Sequence, residues 1–129
     1  MNFDHVAIWT KQADKLKLFY VENFSAKVRQ HYVNPKTQYE SFFLSFPNGI
    51  HLELMQAPDV IKLPHSLTSH SMGYAHLAFS VGSQSEVGRL TAQLRLKGCL
   101  VIDLPRVNGD GYYESIVLDP DGNRIEIKE

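Results

Sequence analysis

Cysteine is almost missing from this chain. A single thiol, Cys99, rules out any disulfide within the chain and makes a reducing, cytoplasmic setting the natural expectation. Cys99 opens the apolar run Cys99-Leu-Val-Ile, so it reads as a buried strand thiol rather than a nucleophile. Long hydrophobic runs are missing too. No segment approaches the roughly 20 apolar residues that span a bilayer. The start, Met1-Asn2-Phe3-Asp4-His5, lacks the basic and apolar regions of a secretion signal. An excess of one charge is also absent. A formal net charge of −1 gives no sequence-wide pull toward nucleic acid. These absences leave an ordinary globular composition, with 43% hydrophobic and 21% charged residues in 129. That suits one compact domain, or two small halves sharing a core.

The chain repeats itself. Residues 47–54 read Pro-Asn-Gly-Ile-His-Leu-Glu-Leu, and residues 120–127 read Pro-Asp-Gly-Asn-Arg-Ile-Glu-Ile, with Pro, Gly and Glu in matching places. Tyr-Glu-Ser precedes each, at 39–41 and 113–115. Asp4-His5-Val-Ala-Ile is echoed by Ala75-His76-Leu-Ala-Phe at nearly the same offset. Alternation predicts strands near 3–9, 27–33, 38–46 and 50–56, and near 74–81, 99–103, 112–119 and 123–128. Thr10 is a candidate N-cap for a first helix carrying Ala13, Leu16, Phe19, Tyr20 and Phe24 at helical spacing. Ser83-Gln-Ser-Glu86 is a capping box for a second helix with Val87, Leu90 and Leu94 buried, closed by Gly98. The expectation is an α+β protein of two βαβββ modules, 1–57 and 74–129, joined by a connector over 58–73 within a single 1–129 domain.

Period-2 alternation then sorts the polar residues. His5 lies opposite Val6 and Ile8, and His76 lies opposite Leu77 and Phe79. Glu53 lies opposite Leu52 and Leu54, and Glu126 lies opposite Ile125 and Ile127. With the aliphatic faces under the helices, the other faces form a concave surface. Any one of these four alone reads as a hydrogen-bonded strand residue. Four at repeat-equivalent positions read as two imidazoles and two carboxylates for one divalent metal, Ni²⁺, Zn²⁺, Co²⁺ or Mn²⁺. His51 shares the face of Glu53 but has no histidine counterpart, and reads as structural. His31, His65 and His70 read as solvated.

These motifs carry a resemblance. Asp4-His5-Val-Ala-Ile, His51-Leu-Glu53-Leu-Met, Gly73-Tyr-Ala-His76-Leu-Ala-Phe-Ser-Val and Asp119-Pro-Asp-Gly-Asn-Arg-Ile-Glu126-Ile together resemble the vicinal oxygen chelate superfamily over essentially the whole chain. That superfamily includes glyoxalase I, fosfomycin-resistance proteins, extradiol dioxygenases and methylmalonyl-CoA epimerase. The resemblance implies metal ligands at His5, Glu53, His76 and Glu126, with Glu53 the glyoxalase I-like feature. A homodimer is expected because a curved sheet from one βαβββ half leaves edges and an apolar rim that a second chain covers. The resemblance implies that His5 and Glu53 of one chain meet His76 and Glu126 of the other, as in glyoxalases, or that the site lies within one chain, as in other members. Two positions depart from the short bacterial glyoxalases. Their arginine four residues after the first ligand is Trp9 here, and their asparagine four residues after the second is Ala57. Both help those enzymes hold glutathione.

Three functions fit these residues. The first is a metal-dependent lyase or isomerase for a small carbonyl or hydroxy substrate, working through an enediolate or enolate, with Glu126 and Glu53 as catalytic bases. Trp9, Glu114 and Arg124 are its candidate substrate-binding residues. The second is a metal-free small-molecule-binding or resistance protein. The third is an iron-dependent extradiol-type dioxygenase, against which Glu53 counts by filling a position that dioxygen needs. No nucleic-acid or membrane partner is expected.

Overall fold

The computed structural model describes residues 1–64 and 66–129, so His65 lies outside the described residues. The elements are β1 (Val6–Trp9), α1 (Ala13–Phe24), β2 (Lys27–Asn34), β3 (Tyr39–Ser45), β4 (His51–Gln56), β5 (Leu77–Ser80), α2 (Gln84–Leu96), β6 (Val101–Val107), β7 (Tyr113–Leu118) and β8 (Arg124–Lys128). The chain is therefore α+β, with βαβββ twice. Two compact units result, Met1–Pro64 and His65–Glu129.

Each unit is a four-stranded sheet with one helix on it. The first sheet runs β1-β4-β3-β2 and the second β5-β8-β7-β6. In both, the first and last strands of the unit pair in parallel: Ala7 sits beside Glu53, and Ala78 beside Glu126. The helix-facing sides form the two cores. Leu16 and Tyr20 of α1 bury against Leu44, Leu52 and Leu54, and Val87 and Leu94 of α2 against Val117, Ile125 and Ile127, all at most 2% exposed. Apolar burial on this scale contributes roughly 1.5–3 kcal/mol per large side chain. Inside the second core, Thr91 donates to the Val87 carbonyl and shares a 2.6 Å bond with Ser115, so neither buried hydroxyl is orphaned.

The strands that carry the histidines are shorter than alternation suggests. β1 begins at Val6 and β5 at Leu77, so His5 and His76 each stand immediately before the strand. β6 also starts later but is longer, covering 101–107 rather than 99–103, and includes Pro105. An edge strand with register breaks at Val101/Asp103 and Asp103/Arg106 does not need every ladder N–H, so it accommodates a proline. Cys99 consequently lies between α2 and β6 and is only half-buried. Burial pushes its thiol pKa up, Lys97 pulls it down by less, and Asp119 adds a small upward push. The thiol stays protonated at neutral pH, which agrees with a non-nucleophilic role.

Helix ends follow the local signals in one unit only. Ser83 Oγ accepts from the Glu86 amide, and Gly98, at φ +89°, completes a Schellman closure with Gly98 N–H to Arg95 O and Cys99 N–H to Leu94 O. Glu86 does not reach back to complete the box. Its carboxylate accepts from Arg89, which holds its pKa below the ordinary value. In the first unit Thr10 is not the N-cap. Gln12 holds that position without a side-chain capping bond, Thr10 accepts from the Gln12 amide, and Gln56 of β4 accepts from the Ala13 amide at 2.8 Å.

Candidate functional site

The turn before each last strand aims its glutamate. Pro47-Asn48-Gly49 and Pro120-Asp121-Gly122 reverse the chain with Gly49 at φ +83° and Gly122 at φ +89°, where a side chain would be strained. In the second turn Asp119, 5% exposed, accepts from the amides of Asp121 and Asn123 at 2.9 Å and from the Asn123 side chain. The Asp-Pro-Asp-Gly-Asn motif is thus a structural clamp at the head of β8.

In the first unit His5 Nε2 lies 3.5 Å from Glu53 Oε2. The other ring nitrogen, Nδ1, is 2.6 Å from Asp4 Oδ2, and the ring packs edge-on to Phe43. The Asp4 carboxylate is thus placed to accept a hydrogen bond from Nδ1, and Nε2 is the ring nitrogen turned toward Glu53. In the second unit His76 Nε2 lies 3.4 Å from Glu126 Oε2. The flanking residues Ala7 and Ala78 are small, which leaves room beside each carboxylate. Neither spacing is a good hydrogen bond, whose N···O span is about 2.7–3.2 Å. Both are close to the edge between two neighbouring ligands on one cation, which at metal–ligand distances of about 2.1 Å is ~3.0 Å in a six-coordinate site and ~3.4 Å in a tetrahedral one.

Each pair is formed within its own unit. Among the described residues no cluster of three or more His, Cys, Asp or Glu side chains stands together.

Trp9 ends β1 on the Glu53 side, is 53% exposed, and meets the Tyr39 ring edge-on at 6.2 Å. Glu114 pairs with Lys128 while Ile116 pairs with Glu126, so Glu114 shares the face of Glu126; it is buried. Arg106, opposite Glu114, is bonded to Asp103, which raises its pKa, with a smaller upward contribution from Glu114. Arg124 shares this face and reaches the Ser66 and Leu67 carbonyls at 3.5 Å. His51 leans on Phe43, as a structural residue would. His31 is exposed but not merely solvated: it stacks on Phe42 at 4.3 Å and bonds Glu40 at 2.7 Å. His70 is exposed.

Two partners escaped the sequence reading. Tyr39 Oη donates to Glu53 Oε1 at 3.3 Å, and Lys128 Nζ lies 3.7 Å from Glu126 Oε1. The repeat held a signal for the first. Tyr39 and Tyr112 are separated by the same interval as Glu53 and Glu126, whereas the interval from Glu40 to Glu114 is longer by one. The two Tyr-Glu-Ser triplets are thus out of step with the repeat, and a slip of one position exchanges faces. Glu40 accordingly pairs with Gln56 on the helix side, while Glu114 faces the Glu126 side.

A duplicated βαβββ unit, each copy closing a histidine against a glutamate across its first and last strands, defines the structural class. The chain belongs to the Glyoxalase/Bleomycin resistance protein/Dioxygenase superfamily, whose sequence profile matches residues 2–127. Among solved structures it is similar to the trypanothione-dependent glyoxalase I of Leishmania major, at 25% identity over 100% of this chain and 86% of that one, with a TM-score of 0.76. A glyoxalase family protein from Enterococcus faecalis matches at 25% identity over 99% and 97%, with a TM-score of 0.74. A glyoxylase/bleomycin resistance protein/dioxygenase domain from Frankia sp. EAN1pec shares the fold at 19% identity over 99% and 96%, with a TM-score of 0.79. No curated protein matches the chain in sequence.

Proposed function

We propose that this protein is a divalent-metal-dependent lyase or isomerase acting on a small substrate with neighbouring carbonyl and hydroxyl oxygens. The observation that carries this reading is the repeated His Nε2–Glu Oε2 spacing of 3.5 and 3.4 Å, too long for a strong hydrogen bond and right for two ligands of one cation. The donor set is His5, Glu53, His76 and Glu126, one pair from each unit, within one chain or across two. Such a mixed imidazole–carboxylate set fits Ni²⁺, Zn²⁺, Co²⁺ or Mn²⁺. When bound, the cation supplies Lewis acidity toward a substrate carbonyl oxygen.

The protein's own residues do the rest. Glu126 or Glu53, with its histidine-facing oxygen clear of the cation once substrate is bound, would accept the proton from the hydroxyl-bearing carbon there and return it to the carbonyl carbon, while the hydroxyl proton passes to the former carbonyl oxygen. Trp9 offers an apolar ring face to the substrate, and Glu114 and Arg124 offer polar groups on the Glu126 side. Asp4, accepting from Nδ1, would orient the His5 ring with Nε2 toward the cation.

Elemental analysis of protein loaded with each of the four metals tests the reading. One equivalent per donor set is expected, with tight binding lost in His5→Ala and in His76→Ala. Equal metal content in both variants and the native protein would overturn the ligand assignment, and no uptake at all would favour a metal-free binding protein.

A further inference from the structure

Each glutamate of the two pairs is engaged on both of its oxygens, and by different partners. Oε2 of Glu53 and Oε2 of Glu126 face the histidine nitrogens. The outer oxygen, Oε1, is met by a second group in each case: the Tyr39 hydroxyl at 3.3 Å in the first unit and the Lys128 ammonium at 3.7 Å in the second. The devices differ chemically but occupy related positions. Tyr112 is the repeat counterpart of Tyr39, and Lys128 is the counterpart of Met55, both at the interval that separates Glu53 from Glu126. In the first unit the phenol reaches the carboxylate directly. In the second the Tyr112 ring carries the Lys128 ammonium at 3.8 Å, and the ammonium stands over the carboxylate as an ion pair at 3.7 Å, beyond hydrogen-bond length.

Both devices are themselves held. The Tyr39 ring is fixed by edge contact with Trp9 at 6.2 Å and a tilted contact with Tyr32 at 6.1 Å. Lys128 is fixed by its cation–π contact and by its place in β8 opposite the buried Glu114. A carboxylate whose outer oxygen accepts from a phenol, or is drawn to a fixed ammonium, presents its other oxygen to the site.

We propose that Tyr39 and Lys128 are positioning residues that make Glu53 and Glu126 one-oxygen ligands, leaving space around the cation for the two substrate oxygens. This rests on the metal reading given above. A carboxylate that swung round to chelate with both oxygens would fill one of those places.

Cobalt is the probe, because its visible d–d absorption weakens as coordination number rises. Native protein, Tyr39→Phe, Lys128→Met and a control, Tyr32→Phe, are loaded with Co²⁺, with folding checked by circular dichroism. Tyr32 is a phenol beside Tyr39 for which no bond to Glu53 is seen. Affinity is measured by competition with a chelator. Tyr39→Phe should bind Co²⁺ about tenfold more weakly, as removal of a ligand's outer partner typically does. Its absorption band should weaken as the freed oxygen closes on the metal. Lys128→Met should weaken the band in the same way, and Tyr32→Phe should match the native protein in both readouts. Spectra of Tyr39→Phe and Lys128→Met that superimpose on the native spectrum would overturn this inference while leaving the metal reading intact. Failure of the native protein to take up Co²⁺ would overturn both.

Discussion

Trp9 and Ala57 stand where the short bacterial glyoxalases hold glutathione with an arginine and an asparagine. An arginine fork binds a carboxylate with two directed, charge-assisted bonds. Trp9 instead exposes half of a large ring with one N–H donor, and Ala57 has no polar side-chain atom. Losing a charged contact of that kind costs a few kcal/mol, on the order of 10²-fold in binding. The metal-loaded protein should therefore be a poor catalyst for the methylglyoxal–glutathione adduct. Its kcat/KM with Ni²⁺, Zn²⁺, Co²⁺ or Mn²⁺ should stay below the efficient range of roughly 10⁴–10⁸ M⁻¹s⁻¹. A value inside that range with any of these metals would refute the argument.

At the scale of elements, the two helices begin by different means. α2 is started locally, by Ser83 on the Glu86 amide, and α1 is started from across the sheet, by Gln56 on the Ala13 amide. A side-chain acceptor at a helix start contributes about 1 kcal/mol. Ser83→Ala and Gln56→Ala should each lower unfolding free energy by about that amount in urea titrations. Thr10→Ala should not do so through capping, because its hydroxyl accepts from the Gln12 amide, one step before the helix. A loss of about 1 kcal/mol in Ser83→Ala with none in Gln56→Ala would show that the long-range bond does not start α1. The Gln56 bond also ties the start of α1 to β4, the strand that carries Glu53.

For the molecule as a whole, each unit covers one face of its sheet with its own helix and leaves the Glu-bearing face without one. On the first sheet that face carries Trp9 and Tyr32, both large and about half exposed. The sheet edges, β1 and β2, also end in unpaired backbone. Association of two chains covers such surfaces, and it would let the first pair of one chain meet the second pair of the other. Light scattering at micromolar concentration should give twice the 14.7 kDa chain mass. A single-chain mass would reject a site shared between chains. Among the described residues no helix is long and apolar enough to cross a membrane.

The order βαβββ–βαβββ was legible in the sequence because hydrophobic period and turn chemistry are local, and the repeat stated them twice. The face of Glu53 and of Glu126, opposite the aliphatic row, was legible for the same reason, whereas the approach of His5 and His76 to them depends on the parallel pairing of the first and last strands of each unit. What the tertiary structure decided depends on register between strands. Gln56 of β4 caps the distant α1, Glu114 takes the face of Glu126 while Glu40 takes the helix side, and Tyr39 and Lys128 meet the outer oxygens of the two glutamates. Register is set by bulges, turns and core packing over the whole sheet, and an offset of one position moves a side chain from one face to the other.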